Sequence, residues 1–139
     1  MLAIQAIAEV CPRSADVVQA GNFGAIRTFA EYANADQLAR FLPDLLAGKG
    51  VMSVGMSEPD AGSSVTELKT SATPDGDDFL VNGSKVFGTN SGDAKVFLIY
   101  LRFGPGTEGI GSALIEKGTA GFEIGPGYRY MNGESWSPL

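Results

Sequence analysis

The chain has 139 residues, 44% of them apolar, and a formal net charge of −6 from 10 basic and 16 acidic side chains. That size holds one domain, or one domain and part of another, and the apolar share permits a sizeable core. Acidity spread along the chain argues against nucleic acid or an anionic membrane as partner, and no apolar run reaches the length of a bilayer span.

The first residues lack the basic region and cleavage pattern of a signal peptide. Cys11 is the single cysteine. It precludes an internal disulfide, points to a reducing compartment, and reads as a small buried hydrophobe. Histidine is absent, which excludes a Ser-His-Asp or Cys-His triad within this chain. A zinc site would lack its commonest ligands, so no metal is expected. Any chemistry must use carboxylates, hydroxyls, backbone amides or a cofactor.

In chain order, residues 1 to about 48 read as helical. Leu2, Ile4, Ile7, Ala8 and Val10 are apolar, and Cys11-Pro12 interrupts. Ser14 is a suitable cap for a second helix running through Val17, Val18, Phe23, Ile26, Phe29 and Ala30 to about Ala33. Gly21 and Gly24 weaken that run and suggest close helix packing. Residues 35–46 form a shorter helical pattern with Leu38, Phe41, Leu42, Leu45 and Leu46 on one side. Pro43 should bend it or start a new turn, and Gly48 and Gly50 end the helical half.

From Val51 the text changes to short strands and turns. Strands are expected at 51–57, 66–72, 79–81, 85–89, 96–101, 110–116 and 122–124, separated by Gly, Asn, Asp and Pro. Asn82-Gly83 between two such runs predicts a hairpin turn. The expected fold is α+β: N-terminal helices over residues 1–50, then a small antiparallel β-barrel or sandwich over 51–139. Both ends read as unfinished, so the sequence is expected to be part of a larger enzyme.

Two stretches stand out. "MSEPDAGSS", Met56 to Ser64, leaves a strand for a loop of hydroxyls and exposed amides. Ser57 and Ser63 offer donors, Pro59 fixes the path, and Gly62 lets the backbone come close to a ligand. An ordinary surface turn would look the same. The second, "FLVNGSKVFGTN", Phe79 to Asn90, is a hairpin ending in Phe87-Gly88-Thr89-Asn90. Gly88 in a strand interior suggests a bulge or a close backbone approach. Phe87 supplies a flat aromatic face, unless it is core, and Thr89 supplies a hydroxyl.

Together, these stretches closely resemble the flavin-binding middle domain of the acyl-CoA dehydrogenase family. That family commonly reads Thr/Ser-Glu-Pro-x-Ala-Gly-Ser-Asp and then Asn-Gly-x-Lys-x-Trp-Ile-Thr-Asn. "VFLIYLR" (Val96–Arg102) and "IEKGTAGFEIG" (Ile115–Gly125) extend the resemblance, and residues 34–59 resemble the passage from the family's N-terminal helical domain to its middle domain.

The resemblance implies FAD-dependent oxidation of an acyl-CoA thioester to the 2,3-enoyl-CoA, with electrons passed on to an electron-transfer flavoprotein. It implies a homo-oligomeric parent in a bacterial cytoplasm or a mitochondrial matrix. Carried onto this sequence, Met56 and Ser57 lie against the isoalloxazine. Gly62 and Ser63 approach the FAD phosphates and the acyl-CoA, Ser63 facing the pantetheine arm. Phe87 takes the place of the usual Trp, Gly88 the place of the usual Ile, and Thr89 bonds near flavin N5. The family's catalytic carboxylate lies in a C-terminal helical domain outside this sequence, so no catalytic residue is expected here. Glu58 and Glu67 are base candidates by residue type only, and Glu58 matches a structural Glu of the family. Ser64 stands where Asp is common, and Glu134 where the family has Arg. Alternatives are an acyl-CoA oxidase or a CoA-thioester desulfinase of the same fold, a non-enzymatic flavin- or CoA-binding relative, and a β-domain that only packs against partner chains.

Overall fold

A computed structural model describes all residues, 1–139. Four helices come first: α1 (Leu2–Val10), α2 (Pro12–Ala20), α3 (Ala25–Tyr32) and α4 (Ala35–Leu46). Eight strands follow: β1 (Val51–Gly55), β2 (Ser71–Asp75), β3 (Asp78–Asn82), β4 (Gly88–Thr89), β5 (Ala94–Arg102), β6 (Ile110–Glu116), β7 (Tyr128–Arg129) and β8 (Ser135–Ser137). A short 3-10 turn spans Val65–Glu67.

The helical half differs from expectation in its joints. The cap of α2 is Cys11, with Pro12 in the first helical position, and Ser14 sits inside the helix and donates its hydroxyl to Cys11 Sγ at 3.2 Å. Cys11 is therefore partly exposed rather than buried, and that hydroxyl lowers its thiol pKa. The run from Ser14 to Ala33 is two helices, because Gly24 turns the chain at φ +61°. Asn34 starts α4 with a capping box: its side chain accepts from Gln37 N–H at 2.9 Å, and its own N–H donates to Gln37 Oε1 at 3.0 Å. The helix carries through Pro43 to Leu46.

The larger sheet is built around β5, six of whose nine residues are buried. Val96 and Leu98 face the helices, in a cluster with Ala25, Phe29 and Met52. Phe97, Ile99 and Leu101 face the other side, with Ala72 and Ala94. Burial on both faces explains the unbroken apolar run "VFLIYL". Along one edge β5 pairs with β1, and at its far end with β2; along the other it pairs with β6. The β1–β5 pairing is parallel, so the curled sheet is mixed rather than wholly antiparallel.

Several strand expectations shift. Residues 66–72 begin as the 3-10 turn, and only Ser71 and Ala72 belong to β2. The β2–β3 hairpin turns at Gly76-Asp77, while Asn82-Gly83 leads out of the sheet. Gly83 sits at φ +152° with its Cα face pressed on Thr70, so the glycine serves a close approach there. Residues 122–124 form no strand, yet Phe122 packs edge-on against Phe97 with centroids 4.9 Å apart. Arg102 clamps the intervening loops. Its guanidinium donates to the carbonyls of Leu68 (2.7 Å), Gly106 (2.5 Å) and Thr66. A second, three-stranded sheet joins β4, β8 and β7 in that order, with Trp136 on the central strand. No helix is long and apolar enough to cross a membrane.

Candidate functional site

The loop after β1 divides in two. Glu58 to Ala61 is a tight turn closed by paired backbone bonds, Glu58 N–H to Ala61 O at 3.0 Å and Ala61 N–H to Glu58 O at 3.2 Å. Ala61 is buried beneath it. Gly62, Ser63 and Ser64 follow as an exposed segment before the 3-10 turn. A Cβ built on Gly62 would meet no atom within 4 Å, so the backbone there faces open space.

Glu58 anchors the loop. Its carboxylate accepts from Lys69 N–H at 2.6 Å, from Thr70 N–H at 2.9 Å and from Lys85 Nζ at 2.7 Å. The two side chains of this ion pair are only 6% and 2% exposed. Burial alone would raise the Glu58 pKa, but the Lys85 ammonium and the two amides outweigh it and hold the carboxyl down at about 2. Burial pushes the Lys85 ammonium down from its ordinary value, with Glu58 opposing. A carboxylate so committed is a weak base, which disposes of Glu58 as a proton acceptor. Glu67 lies exposed on the 3-10 turn.

The second stretch packs beside the first. Val86 N–H donates to Ser57 O at 2.8 Å, Lys85 Nζ to Met56 O at 3.1 Å, and Ser53 Oγ to Thr89 O at 2.7 Å. Met56 and Ser57 at the end of β1 therefore lie against Phe87, Gly88 and Thr89 around β4. The backbone N–H groups of Met56 and Ser57 have no partner within the chain. The Thr89 hydroxyl is 3.5 Å from Phe87 O, too long to hold it, and remains available. Gly62 and Ser63 share no hydrogen bond with this second stretch; they lie beyond the Glu58–Ala61 turn.

Phe87 and Gly88 have opposite reasons. Phe87 sits at φ +58°, a sparsely populated conformation for a bulky residue, and its side chain is turned outward, 52% exposed. It is not core. Gly88 is buried, and a Cβ there would come within 2.9 Å of Ser137 O and 3.1 Å of Leu139. The close approach expected at Gly88 is made by the protein's own β8 and its neighbour, not by open space for a ligand.

Sequence reasoning missed the aromatic group beside Phe87. Trp136 on β8 meets the Phe87 ring at 4.9 Å, and Tyr128 and Tyr130 stack on the other side of the indole at 4.7 and 6.0 Å. The register pairing Thr89 with Trp136 sets that meeting. The only available signal was the spacing of aromatic residues in "YRYMNGESW". In that turn Glu134 N–H donates to Asn132 Oδ1, and the Asn132 side chain reaches Asp16 on α2 at 3.1 Å. The Glu134 carboxylate forms no ion pair within the chain. A cavity of about 260 Å³ lies elsewhere, between helices α3 and α4 and strands β5 and β6. It is lined by Phe29, Tyr32, Gln37, Leu98 and their neighbours, with no charged side chain, and belongs to helix–sheet packing. No group of His, Cys, Asp and Glu is placed to hold a metal ion.

Against known proteins, the family model described as "Acyl-CoA dehydrogenase, middle domain" matches residues 53–136. The chain is 40% identical over 96 residues to the mitochondrial isobutyryl-CoA dehydrogenase of Dictyostelium discoideum, covering 68% of this chain and 23% of that protein. Its fold matches the butyryl-CoA dehydrogenase of Megasphaera elsdenii with a TM-score of 0.87 and 26% identity, over 99% of this chain and 37% of the other. It also matches an FAD complex of PigA with a TM-score of 0.80 and 30% identity, over 86% of this chain and 32% of the other. The chain thus spans about a quarter to a third of the length of these proteins. The matched residues include both loops and the strands that hold them side by side, and the chain belongs to the acyl-CoA dehydrogenase family.

Proposed function

We propose that residues 51–139 form most of an FAD-binding middle domain and residues 1–50 the last helices of an N-terminal helical domain. In this reading they serve a protein that oxidises an acyl-CoA thioester to the 2,3-enoyl-CoA. One observation carries it: two stretches far apart in sequence lie side by side and leave donors and one aromatic ring unspent. The residues fit a flavin. Met56 and Ser57 present unpartnered amides, Thr89 a free hydroxyl, Phe87 an outward ring and Gly62 an unobstructed backbone. In this assignment Met56, Ser57, Phe87 and Thr89 meet the isoalloxazine, and Gly62 and Ser63 meet phosphate, Ser63 also touching the acyl-CoA arm. Gly88 supports the site through β8, beside the Phe87 and Thr89 contacts.

FAD, when bound, supplies the hydride acceptor. What these residues contribute is orientation, through amides and hydroxyls set on a strand end rather than on a mobile loop. The proton alpha to the thioester carbonyl needs a carboxylate from outside this chain, because Glu58 is held ionised by Lys85 and two amides. An electron-transfer flavoprotein as acceptor and a homo-oligomeric assembly belong to the same proposal.

Titrating the chain with FAD and following flavin fluorescence tests it. Saturable uptake is expected, weakened in Gly62→Val at an unchanged melting temperature. No uptake at any flavin concentration would sink the assignment.

A further inference from the structure

Phe87 raises a mechanical question. Its backbone is held at φ +58°, and half of its ring is exposed. A left-handed conformation at a bulky residue persists only where the surroundings enforce it. The neighbouring bonds explain the backbone of this stretch but not the ring: Val86 N–H on Ser57 O and the β4–β8 pairing fix the main chain on either side. The ring has one aromatic neighbour, Trp136, at 4.9 Å and 58°. Trp136 is itself held on its other side, stacked with Tyr128 at 25° and Tyr130 at 26°. Tyr128 is set directly opposite Trp136 by the β7–β8 register.

We infer that Trp136 is the positioning residue of the flavin site: backed by Tyr128 and Tyr130, it fixes the direction in which the Phe87 ring faces. The inference rests on the proposed FAD site. Trp136 acts through Phe87 and is assigned no contact with the cofactor. Aromatic pairs of this kind contribute enough to shift a binding equilibrium roughly two- to tenfold when the pair is removed. The geometry is specific, because β8 places the indole across from Thr89, two residues along the chain from Phe87.

Trp136 is the only tryptophan, so tryptophan emission reports on its surroundings, of which the Phe87 ring is one part. In the 139-residue chain without flavin, Phe87→Ala is expected to move the emission to longer wavelength, as water replaces the ring. An unchanged spectrum would overturn the contact. FAD affinity is then measured for the wild-type chain, Trp136→Leu, Phe87→Ala and the double variant, with folding checked by circular dichroism. Trp136→Leu is expected to weaken FAD binding roughly two- to tenfold. Trp136→Phe is expected to restore most of that loss, and Trp136→Leu to add nothing in the Phe87→Ala background. Should Trp136→Leu unfold, Trp136→Met, which also removes the ring, takes its place in the cycle. Wild-type chain that takes up no FAD defeats the proposed site and this inference with it. Wild-type binding with Trp136→Leu unaffected defeats only the inference. So does an equal loss in both backgrounds, since Trp136 would then act independently of Phe87.

Discussion

Replacing Lys85 with Met leaves the Glu58 carboxylate buried and facing an apolar side chain. In the native chain that carboxylate has three donors, one of them the ammonium at 2.7 Å, with both side chains almost wholly excluded from water. Removing one partner of a buried pair typically costs about 3–5 kcal/mol, because the remaining charge keeps its desolvation penalty and loses its counter-charge. For a chain of this size that corresponds to a fall in melting temperature of about 10 °C or more. The pKa gives a second route to the magnitude. Glu58 titrates at about 2 when folded against 4.5 as its ordinary value. The difference contributes about 3 kcal/mol. Since the folded pKa is the lower one, this contribution is present above about pH 4.5 and disappears as pH falls toward 2. The assay is urea unfolding of the wild type, Lys85→Met, Glu58→Gln and the double variant at pH 7 and at steps down to pH 2.5. The wild type should lose stability in the acid range more steeply than Glu58→Gln. The double variant should recover much of what Lys85→Met loses. A Lys85→Met chain as stable as wild type at pH 7, or parallel acid profiles for wild type and Glu58→Gln, would refute the reasoning.

Two glycines should respond oppositely to alanine. Gly88→Ala forces a Cβ to within 2.9 Å of the Ser137 carbonyl and should destabilise by about 1–3 kcal/mol in thermal melts, whereas Gly62→Ala, facing open space, should stay within about 0.5 kcal/mol of wild type. Phe87→Leu keeps most of the volume of an outward ring, so its melting temperature should hold while FAD affinity drops; unchanged affinity and flavin spectrum would remove Phe87 from the site. Finally, the 139-residue chain mixed anaerobically with FAD and acyl-CoAs of several chain lengths should not bleach the flavin, since both carboxylates of its loop, Glu58 and Asp60, are ion-paired; bleaching proportional to protein and lost in Glu58→Gln would reverse that.

The division into helices and then strands was plain from local pattern, because apolar period and turn residues act over a few neighbours. The apolar run of β5 announced burial on both faces, and the paired loop motifs pointed to the family before any coordinate did. What local pattern could not decide was which distant segments meet. The parallel β1–β5 pairing joins strands separated in the chain by three others, and the Asn82-Gly83 hairpin signal was overruled when Gly83 was pressed onto Thr70. Glu58 and Lys85 are 27 residues apart, and only closure of the sheet turns two ordinary charges into a buried pair. Gly88 signals a close backbone approach without saying by what, and the structure brings β8 there, while Phe87 reads as much like core as like a site until its backbone turns left-handed and its ring outward. Trp136 beside Phe87 follows from a strand pairing between short segments whose own sequence preferences are weak. Faces and turns are set by neighbours along the chain, whereas burial, ion pairing and ring contacts are set by register between strands, which exists only once the chain has closed on itself.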